Sequence, residues 1–324
     1  MTTLMTTSAT PPVTALTTLW FIVIAFLWTG YFVLEGFDFG VGALMPLLSR
    51  SDADRRQVLG TIGPVWDGNE VWLITAVGAM FAAFPAWYSR LLSGFYLPVF
   101  LVVAGLIVRG AGLEWRGKVS SRRERALCDA GIVTGSVLPA FLWGAIFGNL
   151  LYGTLLATVL GGALSLSVAV LHGAVFLALK TAGPVRRRAR RAAVPAAACA
   201  VPVAVVALPA IPGGGAPAWT QGAALAAMAA LAAGAALVWR RREGWAFTAT
   251  ATSIAAATAA LFGTMWAAPL PGLTLAEASS APYTLKVLTW IGLIALPGVI
   301  AYQAWTYWVF RKRVTGEVPA LQAH

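Results

Sequence analysis

Histidine and cysteine are nearly absent from this chain of 324 residues. It contains two histidines, His172 and His324, and two cysteines, Cys128 and Cys199. The sequence has no CxxC, CxxCH, Walker or HExxH motif, and a single interior histidine is too few to anchor several haems. We expect His172 to be a polar packing residue and both thiols to be buried and inert. If the protein takes part in redox chemistry, its cofactors belong to another polypeptide.

Charged residues are also scarce, and their scarcity sets the fold class. Only 11% of the residues are charged, 59% are hydrophobic, and the mean hydropathy is +0.77, which is typical of an integral membrane protein. A helix of roughly 20 apolar residues crosses a bilayer of about 30 Å. The apolar runs predict an all-α protein with about nine transmembrane helices in bundles, near residues 16–48, 57–84, 91–113, 126–148, 154–179, 192–211, 220–239, 245–268 and 285–310. The first two runs exceed the usual length, which indicates tilt, a break or ends beyond the lipid.

The basic residues predict how these helices are oriented. Of the 23 lysines and arginines, 20 lie in alternate loops, within residues 50–56, 116–125, 180–191, 240–242 and 311–313. Positive loops face the cytoplasm, so we expect the N-terminus outside and the C-terminus in the cytoplasm. The same rule accounts for the net charge of +11, and no soluble domain is visible that could bind nucleic acid. No basic segment precedes the first apolar run, so a cleaved signal peptide is not expected.

We interpret residues 1–324 as a single polytopic membrane domain with two unequal parts. Helices one to four, within residues 16–150, carry the polar motifs. Helices five to nine, within residues 154–310, are mainly scaffold, because residues 192–261 are rich in alanine and poor in polar groups. Small residues allow close helix packing. The chemistry is therefore expected in the first part.

Two acidic motifs interrupt the apolar helices, and they hold four of the 12 acidic residues. The first, GYFVLEGFDFG over residues 30–40, carries Glu35 and Asp38; the second, WDGNEVW over residues 66–72, carries Asp67 and Glu70. A charge at membrane depth costs roughly 2.5–3.5 kcal/mol, so such residues usually serve a function. Each pair shares a helix face because its members are three residues apart. Counted from the inner basic residues at about 1.5 Å per residue, Asp38 and Asp67 lie at a similar depth on facing helices.

A line of carboxylates open to the cytoplasm is the arrangement that a proton-uptake path requires. Arg109, near the cytoplasmic end of the third predicted helix, is the natural counter-charge. The alternatives are a static ion-paired network for the acids and a snorkelling side chain for Arg109. Glu70 is either a pathway residue or the cap of a polar pocket. Trp66, which adjoins Asp67, either lines a quinone or lipid pocket or packs in the core.

These motifs resemble those of subunit II of cytochrome bd-type quinol oxidases. The resemblance rests on EGFDFGVG over residues 35–42 and PVWDGNEVWLIT over 64–75, with FAAFP over 81–85, SGFY over 93–96 and FGNL over 147–150 following in order. A weaker likeness extends over the whole chain. In that family the large subunit carries two b-type haems and one haem d and binds quinol. It oxidises quinol on the outer side and reduces O2 to water with protons from the cytoplasm.

The resemblance implies a haem-free chain in the bacterial cytoplasmic membrane that supports this electrogenic enzyme. It implies a large haem-bearing subunit I as partner and quinol as the substrate of the complex, with contacts to membrane lipid and quinone. A small accessory subunit is left open. Carried over by motif, Asp67 matches the acid proposed for the proton path, Asp38 the second acid of the first motif, and Arg109 the basic residue late in helix three. Glu35 stands where the family often has aspartate.

Three other interpretations stay open at this point. The acids also suit a proton-coupled secondary transporter, although no internal repeat is visible. A purely structural subunit would use them for assembly alone. Within the family, a cyanide-insensitive relative without haem d would differ in the partner chain.

Overall fold

The computed structural model describes residues 13–315, which fold into helices joined by short connections. The predicted locations of both chain termini, and His324, fall outside the described residues. The helices are α1 (Ala15–Leu48), α2 (Asp52–Leu59), α3 (Trp66–Ala83), α4 (Pro85–Gly94), α5 (Tyr96–Trp115), α6 (Arg122–Tyr152), α7 (Leu155–Lys180), α8 (Gly183–Ala207), α9 (Ala218–Trp239), α10 (Glu243–Thr264), α11 (Leu275–Ala278) and α12 (Pro282–Val309). The all-α membrane fold class is confirmed.

Eight of the described helices are long and apolar enough to cross a membrane: α1, α5, α6, α7, α8, α9, α10 and α12. The remaining predicted span, the second at residues 57–84, is broken. Its first residues belong to α2, residues 60–65 form a turn, and α3 begins only at Trp66. Gly60, Gly63 and Pro64 favour that turn. Helix α3 has 18 residues and starts with a polar segment, and it is not among the eight helices that are long and apolar enough to cross a membrane.

Local sequence signals explain where several helices begin. Ser121 accepts a hydrogen bond from the backbone of Glu124, whose side chain accepts one in return, so α6 starts with a capping box. Pro85 occupies the first position of α4, where a missing N–H costs nothing. The chain bends at Phe84, between the end of α3 at Ala83 and the start of α4 at Pro85.

Helix α1 lies at the centre and packs against α3, α6, α7 and α10. Its contact with α7 is a close approach of glycines. A Cβ atom on Gly40 would lie 2.0 Å from the carbonyl oxygen of Ala169 and 2.8 Å from the Cα of Gly173. Helices α6 and α7 meet in the same way at Gly144 and Gly161. Small residues therefore bring the backbones together, which is the usual basis of helix association in membranes.

Aromatic side chains fill the interior between α1, α3 and α6. Trp28 packs edge-to-face on Trp143, with ring centroids 4.9 Å apart, and the Trp143 indole donates to the Tyr31 hydroxyl at 3.1 Å. The alanine-rich α8 and α9 supply smaller core residues. Here the expectation of two buried thiols is wrong, because Cys128 is half-buried and Cys199 is exposed. An apolar thiol is compatible with the outer surface of a helix such as α8.

Ion pairs hold the helix ends on the predicted cytoplasmic side. Arg116, directly after α5, contacts Asp129 of α6 at 2.5 Å and Asp52 of α2 at 2.7 Å. The hydrogen bond from Arg116 holds the pKa of the Asp52 carboxyl below its ordinary value. Arg188 of α8 reaches Asp54 at 2.8 Å. The short helix α2 is thereby tied to three neighbouring helices.

Helix α12 is the most exposed of the eight long helices. Of its residues, only Leu285 and Gln303 are buried. At one end, the indole of Trp20 donates to the carbonyl oxygen of Leu285 at 3.2 Å. Just beyond the other end, the backbone N–H of Val314 donates to the carbonyl oxygen of Lys180 at 2.7 Å. One face of α12 therefore touches this chain and the remainder is available for other contacts.

The glycine contact between α1 and α7 makes a testable prediction. Gly40→Ala places a methyl group where the α7 backbone lies, and overpacking of this kind costs about 1–3 kcal/mol. We expect a lower midpoint of thermal unfolding in detergent. Gly222→Ala on α9 is the matched control, since a Cβ there meets no atom within 4 Å. Equal unfolding midpoints for both variants would contradict the packing account.

Candidate functional site

The two acidic motifs and Arg109 meet at the junction of α1, α3 and α5. Glu35, Asp38 and Arg109 have no exposed surface. The expected pairing of Arg109 with the acids is present, so this side chain does not snorkel to the interface. We call Glu35, Asp38, Glu70 and Arg109 the acid cluster.

The Arg109 guanidinium contacts three carboxylates. It forms an ion pair with Glu35, its Nη1 lies 3.3 Å from Glu70 Oε1, and its Nη2 lies 3.9 Å from Asp38 Oδ2. The guanidinium carbon stands 5.2 Å from the centroid of the Phe39 ring, a cation–π distance. A single cation thus faces three acidic groups at membrane depth.

A glycine on α6 provides the space that Arg109 occupies. A Cβ atom on Gly135 would lie 2.6 Å from the Cβ of Arg109 and 2.3 Å from the carbonyl oxygen of Gly105. Because α5 and α6 approach so closely, the guanidinium is directed toward α1 and α3. The sequence indicated that Arg109 is charged, but only the packing of α5 on α6 shows why its guanidinium is directed toward the acids.

Asn69 connects the acid cluster to α12. Its amide nitrogen donates to Asp38 Oδ2 at 2.7 Å. Its amide oxygen accepts from Gln303 Nε2 at 2.9 Å and from the Tyr307 hydroxyl at 2.8 Å. Sequence reasoning missed the roles of these three residues. The available signals were the position of Asn69 inside the WDGNEVW motif and two polar residues spaced four apart on an apolar helix.

Asp67 points away from the cluster. It is exposed, and among residues 13–315 it makes no ion pair or side-chain hydrogen bond. Asn69 faces α1, and a residue two positions earlier in a helix lies roughly 200° around the axis. Asp67 therefore does not face Asp38, although the two residues lie on adjacent helices. The expected depth holds, because the contact between Asn69 and Asp38 places the first turn of α3 level with Asp38.

Glu70 lies between the exposed acid and the buried ones. Its side chain is 20% exposed, it contacts Arg109, and it follows Asp67 by three residues, so both lie on one side of α3. The acidic residues therefore form an ordered series. Asp67 is exposed, Glu70 is partly exposed, and Glu35 and Asp38 are enclosed.

Trp66 packs against α5. A Cβ atom on Gly110 would lie 3.3 Å from the Trp66 ring, so the indole rests over this glycine, next to Arg109. An apolar cavity of about 410 Å³ lies elsewhere, between α1, α6, α7, α8 and α10. Its lining includes Phe32, Trp143 and Phe147, and Trp66 is not part of it. The geometry thus places Trp66 in helix packing, and its part in a quinone or lipid pocket stays a prediction.

His172 is engaged by the chain itself. Its Nδ1 lies 2.7 Å from the Thr250 hydroxyl and its Nε2 lies 3.2 Å from the Val33 carbonyl oxygen. The ring stacks on Phe247 with centroids 4.5 Å apart. The expectation of a polar packing residue is confirmed. In the part of the chain that the structure describes, no group of three His, Cys, Asp or Glu residues could hold a metal ion.

Comparison with known proteins connects this geometry to a family. A sequence model of the family "Cytochrome bd terminal oxidase subunit II" matches residues 16–310. The chain is 36% identical to "Cytochrome bd ubiquinol oxidase subunit 2" of Bacillus subtilis (strain 168), a match covering 93% of this chain and 97% of that protein. It is 31% identical to "Cytochrome bd-I ubiquinol oxidase subunit 2" of Escherichia coli (strain K12), covering 92% and 95%.

A solved structure shares the fold. It is described as "The structure of bd oxidase from Geobacillus thermodenitrificans", and the superposition has a TM-score of 0.74 at 18% sequence identity. The match covers 92% of this chain and 100% of the other. At this identity the likeness supports the fold, and the family assignment rests on the sequence matches.

The acid cluster makes a prediction about folding. Arg109→Leu leaves buried carboxylates without a counter-charge, and breaking a buried pair in this way costs about 3–5 kcal/mol. We expect a large loss of folded protein in membranes, measured by size-exclusion yield and thermal unfolding. Arg90→Leu, which removes an exposed arginine, is the control. The triple variant Arg109→Leu, Glu35→Gln, Asp38→Asn should recover part of the yield, and wild-type stability of Arg109→Leu alone would contradict the account.

Proposed function

Because the chain belongs to the cytochrome bd terminal oxidase subunit II family, we propose that it carries protons toward redox centres held by a partner subunit. As a family member it is part of a cytochrome bd terminal oxidase complex and a multi-pass protein of the bacterial inner membrane. The family implies a haem-bearing subunit I as partner. The finer proposal is that this subunit II binds no haem, supports subunit I and contributes a cytoplasmic proton-uptake path.

The observation that carries the proposal is the imbalance of charge around Arg109. One guanidinium balances one carboxylate, while three carboxylates lie within 4 Å of it. Further uncompensated anions are costly in a region of low dielectric constant. The cluster is therefore suited to bind protons. Glu35 Oε2 and Asp38 Oδ1 also have no hydrogen-bond partner within residues 13–315, which leaves acceptor positions for protons or water.

The order of exposure supports a direction for proton movement. Asp67 meets the surface at the first turn of α3, which follows the basic segment 50–56 on the predicted cytoplasmic side. Glu70 is the next acid and contacts Arg109, and the enclosed Glu35 and Asp38 complete the series. In this proposal, a proton taken up at Asp67 passes by way of Glu70 to the enclosed Glu35 and Asp38.

The partner is proposed to cover the face that carries Asp67. An acidic side chain directed into lipid is expensive, so a protein neighbour or water must lie against it. On the same helix Ile74 is 70% exposed, and on α12 Trp290 is 64% exposed. Such large apolar side chains suit a helix-packing interface. In this proposal Asp67 takes up protons at the boundary between this chain and subunit I.

The haem b and haem d groups are assigned to the partner, because within residues 13–315 both His172 and Met80, residue types that can bind haem iron, are engaged by neighbouring groups. His172, which lies inside the described bundle, has both ring nitrogens engaged by Thr250 and Val33. Met80 accepts a hydrogen bond from the Trp28 indole at 3.4 Å. Quinol oxidation and O2 reduction accordingly belong to subunit I in the proposal, and no redox step runs through this chain.

Contacts with membrane lipid and quinone are proposed at the apolar cavity. Its lining is almost entirely hydrocarbon and aromatic, with Phe32, Trp143 and Leu160 among its residues. A cavity of this kind suits the hydrocarbon part of a lipid or a quinone.

The small accessory subunit stays a prediction from the resemblance. A stand-alone transporter is set aside because the chain belongs to the oxidase family.

The path is tested by Asp67→Asn in the purified oxidase complex. Because a proton-transfer group contributes about 10²-fold or more to rate, we expect quinol-linked O2 consumption to fall by at least about tenfold. The haem absorption spectrum should be unchanged. Glu114→Gln is the control, since this acid is exposed and pairs with Lys118 at 3.3 Å.

Two outcomes would contradict the proposal. Unchanged turnover of Asp67→Asn with a full complement of haem would reduce Asp67 to a structural role. Stoichiometric haem on this chain when it is expressed alone would overturn the assignment of the redox centres to the partner.

A further inference from the structure

The amide of Asn69 has its orientation set by α12. Its oxygen accepts two hydrogen bonds, from the Tyr307 hydroxyl at 2.8 Å and from Gln303 Nε2 at 2.9 Å. An amide oxygen has two lone pairs, and both are thus used. The amide nitrogen is left to face α1, where it donates to Asp38 Oδ2 at 2.7 Å. If the amide were reversed, its N–H groups would meet those of Gln303.

This orientation determines where the Asp38 carboxylate stands. The oxygen that Asn69 binds, Oδ2, is also the atom nearest to Arg109, at 3.9 Å from Nη2. Glu35, which has no such competing donor, is in direct contact with the guanidinium. Asn69 therefore holds Asp38 short of a close ion pair. An acid held in this way keeps its capacity to exchange a proton.

The space for this arrangement comes from the residue beside Asn69. A Cβ atom on Gly68 would lie 3.2 Å from Gln303 Oε1, a tighter approach than a side chain normally allows. Three successive residues of the second motif thus serve three neighbours. Gly68 admits Gln303 of α12, Asn69 binds Asp38 of α1, and Glu70 contacts Arg109 of α5.

We propose that Tyr307 and Gln303 are positioning residues for proton transfer, acting on Asp38 through Asn69. The inference rests on the proposed function of the acid cluster. Neither residue contacts Asp38 in the proposal; their effect is to direct the Asn69 amide. A purely structural role, in which the same hydrogen bonds only anchor α12, is the competing explanation that the experiment must separate.

The first experiment is Tyr307→Phe in the purified oxidase complex, which removes one donor and keeps the ring. A hydrogen bond worth about 1 kcal/mol corresponds to about fivefold in rate. We expect kcat for quinol-linked O2 reduction to fall about fivefold, with the KM for quinol and the haem content unchanged. Tyr302→Phe is the matched control, because Tyr302 lies on the same helix and is 62% exposed.

A double-mutant cycle and an infrared measurement identify the route of the effect. In an Asp38→Asn background, Tyr307→Phe should change kcat by less than about twofold, since coupled residues are not additive. The infrared band of the Asp38 carboxyl is identified by its disappearance in Asp38→Asn. This band should be shifted in Tyr307→Phe and unshifted in Tyr302→Phe. Gln303→Met removes the second donor to Asn69 and should shift the same infrared band. This variant replaces Tyr307→Phe in the measurement if the latter assembles poorly.

The outcomes separate this inference from the function on which it rests. The full fivefold loss in the Asp38→Asn background, or an infrared band unshifted in both Tyr307→Phe and Gln303→Met, overturns the positioning role. Wild-type turnover of Asp38→Asn itself overturns a proton-path role for Asp38. In that case the band shift alone decides whether α12 positions the carboxylate.

Discussion

The ion pair between Arg109 and Glu35 is the contact on which the polar interior of this protein depends. A guanidinium without exposed surface is stable in a membrane bundle only beside carboxylates, and those carboxylates are stable only beside it. The pair joins α5 to α1, and Glu70 brings α3 into the same contact. Gly110 and Gly135 support this contact, because the Trp66 ring of α3 rests over Gly110 and the Cβ of Arg109 lies against Gly135.

The sequence predicted the members of this cluster better than its geometry. Acids and an arginine stand out in apolar helices, so Glu35, Asp38, Glu70 and Arg109 were identifiable from their positions in the sequence. The direction of Asp67 was not, because it depends on the turn at residues 60–65, through which a helical count does not apply. The contact of Asn69 with α12 joins residues more than 200 positions apart, and no local pattern encodes such a contact.

The proposed function follows from the order of the acids rather than from any single one. An exposed acid, a partly exposed acid and two enclosed acids form a graded series toward one arginine. The exposed end lies on a face that also carries large apolar side chains, which suits a partner subunit. The histidine of the fifth predicted helix, engaged by Thr250 and Val33, adds to the packing around α1. In this account the chain handles protons and leaves electrons to its partner.

The measurement that tests this account most directly is time-resolved proton uptake from the cytoplasmic side during a single O2-reducing turnover. The complex is reconstituted in liposomes, and Glu70→Gln is compared with the wild type, since Glu70 alone links the exposed acid to Arg109 in the proposed series. The account predicts slower proton uptake at an unchanged rate of electron transfer from quinol to the haems. Proton uptake at the wild-type rate in that variant would contradict it.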